Sequence, residues 1–473
     1  MVARSTDFAA QAMEATVVAG DPTHRWRGAE IDTRRLRGDE IFFALPGTQV
    51  DGHDFVPRAI EQGAAVVVIH REVEGSESDA DGVAWLRVDD TYRALHALTR
   101  AVRDEVPEQL VAITGSAGKT TTKEMLAAML GSTFRTDRSP GNFNNLFGFP
   151  LALLGIADDC QWMVAEMGMS TPGELGEVSR MGRPEVALFT NIRPVHLENF
   201  PDLGGIAEAK AELLQGLAPG GLIVANADDP EVVGLVERHA PQGSRRIFYG
   251  FEASADVRGF DLEAGPGGTG SRFRLVVDGG GEVVIELAVH GLYNAENCLA
   301  AAACAQAVGV PLDAIAAAMA EFRPARLRGE VVSSLGGPTL VDDCYNSNPD
   351  AAKKALESAH HLPARRRWAV LGDMLELGPR EDAFHGEVGR RAAELGFRVL
   401  GVGSLSRSLV EAAKTHGASA EWLPDASSAA RRLRSALDEG ELGEGDVVLV
   451  KGSRGVGLEV ASRVLRPGVG GDA

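Results

Sequence analysis

The stretch VAITGSAGKTTTKEM, residues 111–125, constrains this chain more than any other. An apolar run stops at Gly115, turns again at Gly118, and meets a lysine followed by three threonines. A strand, a glycine-rich turn and a helix in that order aim backbone N–H groups and a helix N-terminus at one point, which makes an anion site. Lys119 adds positive charge for the β- and γ-phosphates, and the Thr120 hydroxyl falls where a Mg²⁺ ligand belongs. The phosphate-loop pattern asks for a glycine at position 113, where Ile113 stands. Short glycine–lysine strings also arise by chance, but here the strand and helix context is present. The expectation is an ATP site formed by Gly115, Ser116, Ala117, Gly118, Lys119, Thr120 and Thr121; the alternative is a glycine-rich turn carrying a solvated lysine.

Around this loop runs a rhythm of buried strand and helix. LVAIT, QWMVAE, EVALFTN and GLIVANA are each followed by polar or helical sequence, the mark of a mostly parallel sheet with crossover helices. Before it, IFFAL and AAVVVIH flank a helical FVPRAIEQGA and suggest a small α/β domain. Between 256 and 289 the alternating SRFRLVV and EVVIELAV, set around glycine-rich turns, predict an antiparallel excursion at the sheet edge. NAENCLAAAACAQAVG reads as an alanine-rich helix; beyond it PTLVDD, RRWAVLGD, FRVLGVG and DVVLVKG predict a third, doubly wound domain, with a hinge at 322–324. A chain of 473 residues exceeds one core, since cores stop growing near about 250–300 residues. The expectation is α/β in three domains: 1–107, 108–323 and 324–473, the last Rossmann-like.

Charge and cysteine content narrow the partners. A formal net charge of −20 argues against nucleic acid, which needs clustered Lys and Arg to neutralise phosphates. The densest basic run, Arg365–Arg367, reads as a solvated helix end. Cys160, Cys298, Cys304 and Cys344 show no CxxC spacing, so neither a disulfide framework nor a zinc site is expected. No leader pattern and no window of about 18 apolar residues is present, so a cytoplasmic protein off the membrane is expected.

Polar residues stand where the strands end. Glu166 closes QWMVAE on the crevice side of an open α/β sheet, as a Mg²⁺ ligand or as a strand-terminating charge. His196 follows the next strand; a lone loop histidine is usually incidental, but two such residues beside a phosphate loop point to a metal. In GIAEAKAELLQGL, Lys210 shares a helical face with Ile206, Leu213, Leu214 and Leu217. It is either a snorkelling stem or a functional amine able to take up CO₂ as a carbamate, an oxygen ligand for a metal.

Together these residues resemble the Mur ligases, ATP-dependent amide-forming enzymes of peptidoglycan synthesis, along nearly the whole chain. IDTRRLRGDEIFFALPGTQVDGHDF is similar to the family's domain for the UDP-sugar substrate and implies Thr33, Arg34 and Gly47. GNFNNLFGFP implies Asn145 for substrate. TGSAGKTTTKEM is the family's form of the phosphate loop, which accounts for Ile113. The resemblance makes Thr120, Glu166, His196 and a carbamylated Lys210 the metal set, with Lys119 alongside in catalysis. It gives Asn294 and Asn297 to adenine, and Arg328 and Asp343 to the nucleotide site; Tyr293 replaces a histidine and inherits no role. DCYNSNP, LGDMLELG and VLVKGSRGVGLE point to the branch whose acceptor is D-alanyl-D-alanine, with loop-shaping the alternative for Asp373, His385, Lys451 and Arg454. The resemblance thus implies ATP, Mg²⁺, a UDP-muramoyl-tripeptide and D-Ala-D-Ala, with a monomeric chain. The rivals are a relative with another acceptor, such as the third-residue or folate polyglutamate ligases, and a non-catalytic nucleotide switch.

Overall fold

The computed structural model describes residues 3–74, 82–106, 109–195, 197–252, 255–265, 270–289, 291–324, 326–333 and 336–466. His196 lies outside them. Three main sheets follow one another along the chain. The first has the order Thr16–Ala19, Ala84–Arg87, Val66–Ile69, Ile41–Phe43, Ala29–Glu30 and is parallel except at Thr16–Ala19. Its strands Val66–Ile69 and Ile41–Phe43 are fully buried apolar runs, as helices on both faces require.

The helix Thr91–Glu105 leads away from this sheet. Asp90 caps it by accepting from the N–H groups of Tyr92 and Arg93. Its far end is fastened to the next sheet's layer: Arg103 donates to the Gly182 carbonyl at 2.7 Å and pairs with Glu185 at 3.0 Å.

The second sheet has nine strands. Thr136–Arg138, Trp162–Glu166, Gln109–Thr114, Val186–Phe189, Leu222–Asn226, Arg245–Gly250 and Val257–Ala264 run parallel, and Ser271–Val277 and Gly281–Leu287 complete it antiparallel. The antiparallel edge expected at 256–289 is therefore present. The phosphate-loop strand lies between Trp162–Glu166 and Val186–Phe189, so the chain reverses direction of growth there. Register sets Glu166 beside Ile113 and Phe189 beside Thr114, bringing the ends of three strands level at one crevice.

The helix Leu292–Ala307 backs this crevice and packs against the helix Lys119–Gly131. Its alanines 300–303 are fully buried, so their small size permits the close approach. Cys298 and Cys304 lie among them as free thiols, and burial pushes that of Cys304 up to about 12.

The third sheet orders Glu330–Ser333, Thr339–Asp343, Val447–Lys451, Arg367–Gly372, Arg398–Val402 and Ala420–Leu423, parallel except at Glu330–Ser333. Its switch point lies at Val447–Lys451, and register sets Lys451 beside Asp343. One expectation fails here. Arg365 and Arg366 do not end a helix; they precede the strand Arg367–Gly372, and both pair with the fully buried carboxylate of Asp446. A buried carboxylate needs opposite charge nearby, and that need outweighs solvation of the two arginines.

Candidate active site

The phosphate loop is shaped by the residues after the neighbouring strand. Ser116 N–H donates to the Asn191 carbonyl at 2.9 Å and Ala117 N–H to Asn191 Oδ1 at 2.9 Å. The Thr190 hydroxyl and the Asn191 amide both donate to the Ala117 carbonyl. Gly115 has φ +150, and a Cβ there would overlap Thr190 Oγ1; Gly118 has φ +84, and a Cβ there would overlap Asn297 Oδ1. Ile113 is a buried strand residue, so Gly115 makes the sharp turn in its place.

Gly118 begins the helix Lys119–Gly131 with no side-chain cap, which leaves first-turn amides open to a ligand. Lys119 Nζ donates to the Gly115 carbonyl at 2.8 Å and folds over the loop.

Glu166 is the hub of the site. It is 3% exposed, and Oε2 accepts from the Thr120 hydroxyl at 2.7 Å while Oε1 accepts from Asn144 Nδ2 at 2.8 Å. Arg328, from the start of the third sheet's segment, donates through Nη2 to Thr120 Oγ1 at 3.1 Å. Its guanidinium lies 3.8 Å over the Tyr345 ring. Burial pushes the Lys119 ammonium below the ordinary lysine range; Glu166 opposes this and Arg328 adds to it.

Lys210 is 3% exposed and borders the same cavity. Burial drives its amine well below the ordinary lysine range, and the charge of Lys119 drives it further. The continuous helical stripe expected through Leu217 is interrupted: the helix Leu203–Ala211 ends one residue after Lys210 and tightens into a 3-10 turn at Glu212–Gln215. Lys210 is therefore an internal amine, and the snorkelling alternative falls away.

These groups line one cavity of about 460 Å³ between the second and third sheets. It gathers Ser116, Ala117, Gly118, Lys119, Thr120, Thr121, Asn145, Glu166, Lys210, Asn297, Arg328 and Asp343 of the expected set, together with Lys451 and Arg454. Gly115 and Asn294 stand behind its wall, while Thr33, Arg34 and Gly47 are apart from it. Thr33 is buried in the turn Thr33–Arg35, whose backbone is held by Asp32, and Gly47 closes a loop by donating to the Val50 carbonyl at 3.0 Å. That turn nonetheless faces the cavity's outer loop, because Arg35 lies 4.4 Å over the Phe143 ring. Asn145 Oδ1 accepts from Phe147 and Gly148 N–H groups, so its carbonyl shapes the chain.

Two residues of unsettled role shape loops. His385 accepts from Met374 N–H at Nε2 and pairs with the Glu381 carbonyl through Nδ1; Asp373 accepts from Ser406 N–H. Lys451 Nζ binds Asp343 Oδ2 at 2.7 Å. Sequence reading missed Asn144, Thr190, Asn191 and Asp229. Asp229 Oδ2 accepts from Arg193 and from Ile192 N–H, fixing the segment that clasps the phosphate loop. For Thr190, Asn191 and Asp229 the only sequence signal was position, one to three residues past a strand end, and Asn144 lies farther from the strand before it.

The same order of parts appears in known proteins. Profiles described as "Mur ligase family, catalytic domain", "Mur ligase middle domain" and "Mur ligase, glutamate ligase domain" match residues 26–103, 113–305 and 327–454. A Bacillus subtilis protein named UDP-N-acetylmuramoyl-tripeptide–D-alanyl-D-alanine ligase is 33% identical over 437 residues, covering 91% of each chain. The chain belongs to the Mur ligase family. Among solved structures, MurF from Acinetobacter baumannii superposes with a TM-score of 0.87 at 27% identity, covering 98% of this chain and 99% of that one. MurF ligase from Thermotoga maritima in complex with ADP gives 0.80 at 26% identity over 93% and 97%.

Proposed function

We propose that this chain is an ATP-dependent, ADP-forming ligase that joins D-alanyl-D-alanine to UDP-N-acetylmuramoyl-tripeptide, giving the UDP-muramoyl-pentapeptide of peptidoglycan synthesis. The observation that carries it is the Glu166–Thr120 pair, ringed by Lys119, Lys210 and Arg328 at an open helix N-terminus. Two cations, Lys119 and Arg328, and the buried amine of Lys210 beside one carboxylate suit a site that must hold a triphosphate and a substrate carboxylate together. The name of the Bacillus relative gives the acceptor, and the ADP of the Thermotoga structure supports the nucleotide.

In this reading the terminal carboxylate of the tripeptide attacks the γ-phosphorus, ADP leaves, and an acyl phosphate forms. The dipeptide amine then attacks the carbonyl carbon, loses a proton, and phosphate departs. The first step brings anions together, so the protein's work is positioning and charge neutralisation. Lys119 and Arg328 hold the transferring phosphate, the amides after Gly118 hold its neighbours, and the adenine is assigned to Asn294 and Asn297. The Thr120 hydroxyl and Glu166 are hard oxygen donors 2.7 Å apart, a fit for Mg²⁺, which takes few protein ligands alongside phosphate oxygens. When bound, Mg²⁺ neutralises phosphate charge. His196 and Lys210 as a carbamate would complete a second metal position.

The first sheet's domain takes the UDP-sugar through Thr33, Arg34 and Gly47, and Asn145 meets the peptide end. The reading keeps a monomeric chain, and the soluble substrates support a cytoplasmic enzyme. The boundaries 1–107, 108–323 and 324–473 separate these three tasks. The test is phosphate release from ATP in the presence of the tripeptide with D-Ala-D-Ala or D-Ala alone. Release that requires tripeptide and dipeptide, with the pentapeptide mass, supports the reading; release independent of both overturns it.

A further inference from the structure

Beneath the phosphate loop lies a charge that takes no direct part in the chemistry. Lys123 stands four residues after Lys119 and three after Thr120 on the helix Lys119–Gly131, and it is fully buried. A buried ammonium is costly unless its donors find oxygens. Here all three do: Nζ donates to the Ser139 carbonyl at 2.7 Å and to the Gly141 carbonyl at 3.0 Å, and it pairs with Glu124 Oε1 at 3.2 Å. Glu124 in turn pairs with Arg138 at 2.7 Å, fastening the strand just before Ser139 to the same helix. An apolar side chain would pack helix against strand at lower cost, so the ammonium is explained by what it grips.

It grips the segment that holds Glu166. Ser139 N–H donates to the Val164 carbonyl at 3.0 Å, and Ser139 Oγ accepts from the Glu166 N–H at 3.2 Å. Gly141, at φ +50, turns the chain toward Asn142 and Asn144 on the cavity wall. Asn144 Nδ2 donates to Glu166 Oε1, and the Asn144 carbonyl accepts from the Gly168 N–H at 2.7 Å. One segment, 139–144, therefore holds Glu166 at its backbone and at one carboxylate oxygen. The other oxygen accepts from Thr120, on the helix that Lys123 ties back to that segment. Lys123, Ser139, Glu166 and Thr120 close a ring of hydrogen bonds around the start of the helix. Both oxygen donors are fixed within this ring, as a small cation that demands near-ideal octahedral geometry requires.

We propose that Lys123 is a positioning residue for the divalent cation: by pinning residues 139–144 it sets the direction of the Glu166 carboxylate and its distance from the Thr120 hydroxyl. It lies outside the cavity wall and acts only through these groups. The inference rests on the ligase reading for one point, a metal at Thr120 and Glu166, and adds the residue that aims its ligands. Groups that orient metal ligands typically carry about 10–100-fold in metal affinity. The phosphate loop is held separately, by Thr190 and Asn191. Metal binding should therefore depend on Lys123, while nucleotide binding without metal should not.

The experiment titrates Mn²⁺ into the full-length protein carrying ADP and reads free Mn²⁺ by its electron paramagnetic resonance signal, in the natural protein, K123M, S139A, E166Q and K123M/E166Q. A second titration measures ADP affinity in the presence of a chelator. K123M and S139A are each expected to weaken Mn²⁺ binding about tenfold, with the chelated ADP Kd unchanged. In the E166Q background K123M should add no further loss, since its effect passes through that carboxylate. Where K123M does not fold, S139A decides, because it removes the bond to the Glu166 N–H and leaves every bond of Lys123 in place. An unchanged Mn²⁺ Kd in the folded variants, or an ADP Kd that rises in step without metal, would overturn the inference. Mn²⁺ binding to the natural protein no tighter than to E166Q would sink the metal assignment and this inference with it. If the Mn²⁺ pattern holds but the natural protein ligates no dipeptide, the ligase reading fails and the inference stands.

Discussion

Lys119 and Lys210 are two buried amines with different bonding. Among the described residues the Lys119 ammonium makes one hydrogen bond, to the Gly115 carbonyl, so Lys119→Ala removes charge at the phosphate site while costing the fold little. Phosphate release at saturating substrates should fall by about 10²–10³, with the melting temperature nearly unchanged. Lys210 makes no ion pair among the described residues and sits well below the ordinary lysine range, so its neutral form persists at lower pH than that of a free lysine. The neutral amine is the form that adds CO₂, and the addition releases a proton. At fixed dissolved CO₂ a ¹³C carbamate signal should therefore grow as pH rises, and at lower pH than for a free lysine, and Lys210→Arg should lack it. Lys210→Ala should lose ligation and regain part of it with an added short carboxylate; loss without rescue would count against the carbamate. The glycines, Lys119, Thr120 and Glu166 were legible because their chemistry is tied to a strand–loop–helix pattern. Thr190, Asn191 and Asp229 were not, because their hydrogen bonds reach across 37–76 residues to backbone groups that no local pattern marks.

At the scale of elements, the strands were legible wherever both faces are buried, since a continuous apolar run bounded by turns has few other uses. Helix ends were less so: the change to a 3-10 turn at Glu212 and the pairing of Arg365 and Arg366 with Asp446 both answer to distant partners. The helix Leu292–Ala307 shows the difference between propensity and packing. Its alanines read as helix formers, yet their burial shows that small volume is what the site needs, for this helix carries Asn297 against Gly118. Ala301→Leu should destabilise the protein by about 1–3 kcal/mol in denaturant unfolding through overpacking. An unchanged midpoint would mean that the layer is looser than its burial indicates. In the first domain, Asp51 anchors the loop after Gly47. Burial alone would raise its carboxyl, but bonds from His53 and Arg71 hold it down at about 2. A depressed folded-state value gives stability that is present above the unfolded carboxylate range and lost as pH falls through about 2. Asp51→Asn should accordingly lower the melting temperature at neutral pH, and the gap from the unmodified protein should narrow on acidification.

Across the whole molecule, the cavity exists only because the second and third sheets face each other. Among the described residues, polar contacts that span that gap include Arg328 to Thr120 at 3.1 Å, Lys354 to Glu296 at 3.1 Å and Arg193 to Asp350 at 3.5 Å. The first lies at the phosphate loop, but the Lys354–Glu296 pair joins the helix Pro349–His360 of the third domain to the helix Leu292–Ala307 of the second. Closing these domains would exclude water from an acyl phosphate, which hydrolysis would otherwise destroy. A partly exposed pair of this kind contributes on the order of 0.5–1 kcal/mol, a factor of about two to five in the closed population. Lys354→Glu places two carboxylates together and should raise the KM for ATP by at least that factor, with a larger radius of gyration in solution scattering. Combining it with Glu296→Lys restores opposite charges across the same gap and should recover most of the loss. If each single change and the combined one are equally impaired, these side chains act within their own domains, and closure must depend on ligand contacts at Arg328 and the phosphate loop instead.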